Sequence, residues 1–133
     1  MTCRIQGYAA VFDRVDRAGD VFRAGAFAGA APVPLLRQHR GATVGELLAV
    51  GEDARGLWIE ALVTDAEAER LVRARALAGL SVGYRAIGAR QGAYREITRA
   101  ALVEVSLVAV AMQPAARIDT ILEVSEGEEA WAK

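Results

Sequence analysis

The stretch TVGELLAVGEDARGLWIEALV (Thr43–Val63) decides the fold class. Two apolar runs, Thr43–Val50 and Leu57–Val63, flank the turn-rich hexapeptide GEDARG (Gly51–Gly56). Each run has the length of a strand, and the Gly, Asp and Gly between them supply turn chemistry, so the stretch predicts a β-hairpin. Upstream, Cys3–Val11 alternates well enough for a strand, with Gly7 as a bulge candidate. Asp13–Asp20 reads as a loop. Ala24–Ala31 (AGAFAGAA) reads as a short helix or a turn packed under the sheet around Phe27. Pro32 and Pro34 bracket the start of the strand-like VPLLRQH (Val33–His39).

Downstream comes one clear helix. Thr64 is the expected N-cap and Asp65 and Glu67 favour the first turn. Leu71, Val72, Ala74 and Leu77 form the apolar stripe, and Gly79 ends it. LSVGYRAIGA (Leu80–Ala89) reads as a strand that turns at Arg90–Ala93. One or two more strands follow. Ala100–Met112, nearly all apolar, reads as a strand buried on both faces up to Pro114. These elements predict a mainly β chain with helices (α+β), built as a small antiparallel barrel or rolled sheet. Residues 1–118 are expected to form one domain. Residues 119–133, with Asp119, Glu123, Glu126, Glu128 and Glu129 against one Lys, are expected as an acidic tail that frays or docks.

At 133 residues the chain is long enough for a core without disulfides. Sixteen basic and 17 acidic residues leave a formal charge of −1, which argues against general nucleic-acid binding. Twenty-eight alanines inflate the apolar fraction of 53%. Cys3 is the only cysteine, so no internal disulfide and no cysteine-based zinc site is expected. No apolar run reaches the ~18–20 residues that span a bilayer, and the N-terminal residues have no signal-peptide pattern. Asp13, Asp16 and Asp20 lack the spacing of a calcium loop and read as a solvated loop. No metal and no cofactor is expected.

Three residues carry candidate chemistry. Gly79-Leu80-Ser81-Val82-Gly83 fits G-x-S-x-G, but the helix precedes and the strand follows, the reverse of an α/β-hydrolase elbow. Ser81 is either a nucleophile or a serine in a tight helix-to-strand turn. His39, the only histidine, is either a surface residue at a strand end or a general base. Glu104 is the only charge between Arg99 and Arg117. An acid amid LVEVSLVAVA needs a partner, either a histidine that it orients or an arginine in a structural ion pair. A serine, a histidine and an acid on three strands suffice for a triad, whose identity lies in geometry rather than chain order.

Four blocks then carry a resemblance in order: GYAAVFDRVDRAGDVFRAGAF (Gly7–Phe27), VPLLRQHRGATVGELLAVGEDARGLWIEALV (Val33–Val63), LAGLSVGYRA (Leu77–Ala86) and ALVEVSLVAVAMQPAARI (Ala101–Ile118). Together they resemble the prohead serine proteases of tailed phages and gene transfer agents, a family similar in fold to the herpesvirus protease assemblin. The resemblance implies a β-barrel flanked by helices. It also implies a serine endopeptidase that cuts capsid or scaffold protein, or itself, inside the immature capsid in the bacterial host cytoplasm. It places the histidine of "QH" at His39 and the serine of "GLSxGY" at Ser81. The strand that carries assemblin's second histidine corresponds to EVSLV, which puts Glu104 in its place. Backbone amides or Arg117 are the oxyanion candidates. A homo-oligomer is expected, with no membrane and no specific nucleic acid as partner. The competing reading is a catalytically silent scaffold or assembly factor on the same fold.

Overall fold

The computed structural model describes residues 2–124. Eight strands and one helix follow one another: β1 (Thr2–Val11), β2 (Asp20–Phe22), β3 (Pro34–Arg37), β4 (Arg40–Glu52), β5 (Gly56–Val63), α1 (Ala66–Arg73), β6 (Gly79–Gln91), β7 (Arg95–Val108) and β8 (Ile118–Val124). The hairpin read at Thr43–Val63 is β4–β5, in antiparallel register from Gly45↔Val63 to Glu52↔Leu57. Its turn is tied by Asp53, whose Oδ1 accepts the amides of Arg55 (2.8 Å) and Gly56 (3.1 Å).

All eight strands belong to one sheet, in the order β2-β7-β3-β4-β5-β1-β8, with β6 paired to β7. Two pairings, β2–β7 and β3–β7, are parallel. The ladders leave this sheet open, unlike the closed barrel expected. The ladder of β6 with β7 runs to Gln91. Toward β8, β6 makes only the isolated bridge Gly79↔Arg117, flanked by Leu80 N–H to Ala116 O and Ile118 N–H to Ala78 O, both 3.0 Å.

Among the described residues α1 is the single helix, fewer than the flanking helices expected. AGAFAGAA forms turns, with Gly25 at φ 90° and Gly29 at φ 78°. These turns push Phe27 into the core against Phe22, ring centroids 5.1 Å apart. The cap of α1 is Asp65, not Thr64. The amides of Thr64 and Asp65 both bond Val44 O of β4 and the Thr64 hydroxyl turns to the same oxygen, so it is the Asp65 carboxylate that accepts Ala68 N–H, at 2.9 Å. The helix ends at Arg73 rather than near Gly79, because Arg75 turns left-handed at φ 63°.

The run Ala100–Met112 is not a strand buried on both faces. β7 stops at Val108, and Val103 and Val110 are exposed. Val105 and Leu107 face the core, whereas Glu104 and Ser106 occupy the opposite face. The segment read as an acidic tail also differs. Its first six residues, Asp119–Val124, lie in β8, and five of them pair with β1, from Thr2↔Val124 to Gln6↔Thr120. A backbone in a ladder satisfies its hydrogen bonds whatever charges its side chains carry, so acidic composition did not keep this segment out of the sheet. The rest of that segment, 125–133, lies outside the described residues.

Candidate active site

The site grows from the paired end of β6 and β7. Ser81 stands directly opposite Ser106 in an antiparallel ladder, so their side chains share a face. Glu104, two residues before Ser106, shares that face as well. Ser81 is 6% exposed and Ser106 is fully buried.

His39 reaches this face from the turn between β3 and β4. Arg37 pairs with Arg40, so Gln38 and His39 form a two-residue turn, at φ 54° and φ 62°. Such a turn needs left-handed backbone at both positions, where Asn-Gly is the usual solution. Gln38 and His39 adopt it because β7 holds them. Gln38 N–H bonds Leu107 O (3.0 Å), Gln38 Oε1 accepts Ala109 N–H (3.0 Å), and His39 N–H bonds Ser106 Oγ (3.0 Å). Left-handed residues of this kind carry strain that only a supporting structure maintains.

The imidazole meets the acid. His39 Nδ1 lies 2.5 Å from Glu104 Oε1, and Ser106 Oγ donates to Glu104 Oε2 at 2.6 Å. Both carboxylate oxygens therefore have partners. No arginine pairs with Glu104 among the described residues, so its partner is the histidine. Ser81 Oγ and His39 share the face without a direct hydrogen bond among those described. Arg117 is exposed, and its backbone bridges Gly79, two residues before Ser81.

The segment after β7 runs over this face. A Cβ added to Gly79 would lie 3.2 Å from Ala111 N. Arg17 anchors the segment: its N–H bonds Met112 O (3.0 Å) and its Nε bonds Ala111 O (3.2 Å). Gln113 anchors it further, accepting Val11 N–H at 2.6 Å and donating to Val11 O at 2.8 Å.

A cavity of about 100 Å³ opens beside Ser81, with Met112, Leu80 and Val82 in its wall. Apart from Ser81, its polar members are engaged with one another or with the backbone. Asp16 Oδ1 accepts the amides of Ala18 and Asp20, both at 2.9 Å. Asp20 takes two bonds from Arg95 (2.9 and 3.1 Å) and one from the Tyr84 hydroxyl (2.8 Å). The Arg95 guanidinium holds the Asp20 carboxyl below the usual range. Burial first, and the Asp20 bond second, push the Tyr84 phenol up to about 12.

The profile of a family described as caudovirus prohead serine protease matches residues 1–130. The chain belongs to that family. It is thus a protease of capsid maturation. Among curated protein sequences none matches it. Among solved structures it is similar to the protease of Kaposi's sarcoma-associated herpesvirus bound to a hexapeptide phosphonate inhibitor. The two are 15% identical, with a TM-score of 0.66, over 98% of this prohead protease and 74% of that chain. The varicella-zoster virus protease is similar at 14% identity and TM-score 0.63, over 99% and 74%. The Kaposi's sarcoma-associated herpesvirus protease with a dimer disruptor is similar at 16% and 0.61, over 99% and 88%. At such identities the likeness concerns the fold.

Reading the prohead protease from its residues singled out His39, Ser81 and Glu104 but passed over Ser106, Gly83 and Gln38 as parts of the site. Ser106 had a signal: it is a polar residue two positions from Glu104 in an otherwise apolar run. Gln38 had none, since nothing in Gln-His announces a left-handed turn.

Proposed function

We propose that this prohead protease is a serine endopeptidase in which Ser81, His39 and Glu104 form the triad. The supporting observation is the 2.5 Å contact of His39 Nδ1 with Glu104 Oε1, on the face that carries Ser81. An Nδ1–H donated to the carboxylate leaves Nε2 unprotonated and able to accept the proton of Ser81. Ser81 Oγ attacks the scissile carbonyl, and His39 then delivers the proton to the leaving amine. Glu104 holds the tautomer and stabilises the imidazolium. A serine–histidine bond absent without substrate is compatible with this role, because such bonds tighten in the Michaelis complex.

The oxyanion is met by backbone amides of the segment held over Gly79, with the Arg117 guanidinium as the second candidate. Each such donor is typically worth about 3–4 kcal/mol in the transition state. The cavity beside Ser81 receives a side chain next to the scissile bond. The chemistry calls for no metal and no cofactor. The substrate is the major capsid protein or its scaffold segment, with self-cleavage as a further reaction. The setting is the immature capsid in the bacterial host cytoplasm, and the working form is a homo-oligomer.

The test is co-expression with the neighbouring capsid gene, comparing wild type and Ser81→Ala by mass spectrometry. Capsid cleavage in the wild type and none in Ser81→Ala is expected. Equal cleavage in both removes Ser81 as nucleophile. No cleavage in either leaves the silent assembly factor as the better reading.

A further inference from the structure

We propose that Gly83 is a positioning residue for Glu104: the missing side chain of Gly83 is the slot through which Glu104 reaches His39. This rests on reading Glu104 as the acid of the site. Gly83 and Glu104 are direct partners in the β6–β7 ladder, with their side-chain positions on one face. The Glu104 side chain lies flat across β6 at this point. A Cβ on Gly83 would stand 2.3 Å from Glu104 Oε1 and 2.8 Å from both its Cγ and Cδ. The overlap therefore involves most of the side chain.

Backbone conformation does not explain this glycine. Gly83 is absent from the residues with positive φ, so its backbone accepts an L-residue. No neighbouring backbone atom is among the nearest contacts either; all three are in the Glu104 side chain. The nearest obstacles to a methyl at position 83 are thus all atoms of one flexible carboxylate side chain. Glu104 would swing away, and it would leave behind both His39 Nδ1 and Ser106 Oγ.

The local ladder is built around the same placement. Register shifts between the pairs Gly83↔Glu104 and Tyr84↔Leu102, leaving Val103 as an extra residue on β7. A bulge re-aims the side chain next to it. It turns Val103 outward, 54% exposed, beside a Glu104 side chain that is only 12% exposed. Gly83 opens the slot, the bulge aims Glu104 into it, and Ser106 holds the second oxygen.

The closing experiment uses the fact that His39 is the sole histidine, so one imidazole signal set exists. A short Nδ1–H to carboxylate bond gives a strongly deshielded proton in NMR. Wild type is expected to show it, and Gly92→Ala, at the hairpin tip, to keep it. Gly83→Ala is expected to lose the signal, as Glu104→Gln does. Its kcat should fall about 10³-fold toward that of a triad lacking its acid, with KM nearly unchanged and Tm lowered at least as far as in Glu104→Gln. In a Glu104→Ala background the same Gly83→Ala change should cost no further activity, since the clash is gone. A folded Gly83→Ala with the signal and kcat intact overturns the proposal. So does an equal further loss in the Glu104→Ala background. If Gly83→Ala alone fails to fold, folding of the double variant locates the clash at Glu104 and supports the slot; failure of both overturns it. The NMR signal does not depend on Ser81, so loss of the serine mechanism and loss of this proposal are separate results.

Discussion

Glu104→Gln preserves the shape of the acid and removes its charge, and the consequence follows from the hydrogen bonds around it. Ser106 Oγ already accepts His39 N–H, so its own proton is directed at Glu104 Oε2, 2.6 Å away. In the variant that hydroxyl selects the amide oxygen. The amide NH2 then occupies the place of Oε1, 2.5 Å from His39 Nδ1. Since NH2 only donates, Nδ1 must accept, and the imidazole proton moves to Nε2. An imidazole in that tautomer cannot take the Ser81 proton. Comparable acid-to-amide changes in serine-protease triads lower kcat about 10⁴-fold. Four decades correspond to roughly 5.4 kcal/mol of barrier. Stability should fall far less, by about 1 kcal/mol, because the Ser106 bond survives with a neutral acceptor. Turnover is measured by mass spectrometry on capsid protein, per molecule shown to be folded by thermal melting. Unchanged turnover with a lowered Tm would refute the argument and leave Glu104 a purely structural partner of His39.

Ser81→Ala should lower cleavage on the order of a million-fold with an unaltered melting curve, since it removes one hydroxyl from a ladder position. Asp20→Asn should destabilise the fold by about 1–2 kcal/mol at pH 7 by breaking the Arg95 pair, whose arginine is partly exposed. The Asp20 carboxyl is depressed in the fold, so its contribution is present above the ordinary value of 3.8 and is lost as pH falls through the lower folded value. Melting curves of wild type and Asp20→Asn should therefore converge in acid, and a gap that persists unchanged at the lowest pH would contradict this. Tyr84 should ionise near 12 in a spectrophotometric titration, with stability falling as pH rises from 10 toward 12 because the unfolded chain ionises first. A chain ending at Thr120 should melt lower than the full chain. It loses the pairs Ile5↔Ile121 to Thr2↔Val124 and the packing of Ile121 against the core; equal Tm values would refute a structural β8.

Local chemistry made much of this fold legible. The β4–β5 hairpin announced itself because its turn residues, Asp53 above all, act on neighbours in sequence. The existence of α1 was readable for the same reason, although its ends shifted when Thr64 stayed bonded to β4 and Arg75 turned left-handed. Composition also led to Glu104, since a lone acid in an apolar run demands a partner. What the residues alone did not decide was every outcome set by contacts far apart in the chain. Whether Glu104 meets a histidine or an arginine depends on the parallel pairing of β3 with β7, which lays the Gln38–His39 turn over Ser106, 67 positions away from His39. Asp119–Val124 joined the sheet because β1 offered a free edge, a fact absent from the segment's own acidic composition. In the sequence Gly83 is one more residue of the strand read at Leu80–Ala89. Only the β6–β7 ladder, by setting Glu104 against it, showed that the space above this glycine is filled by the acid.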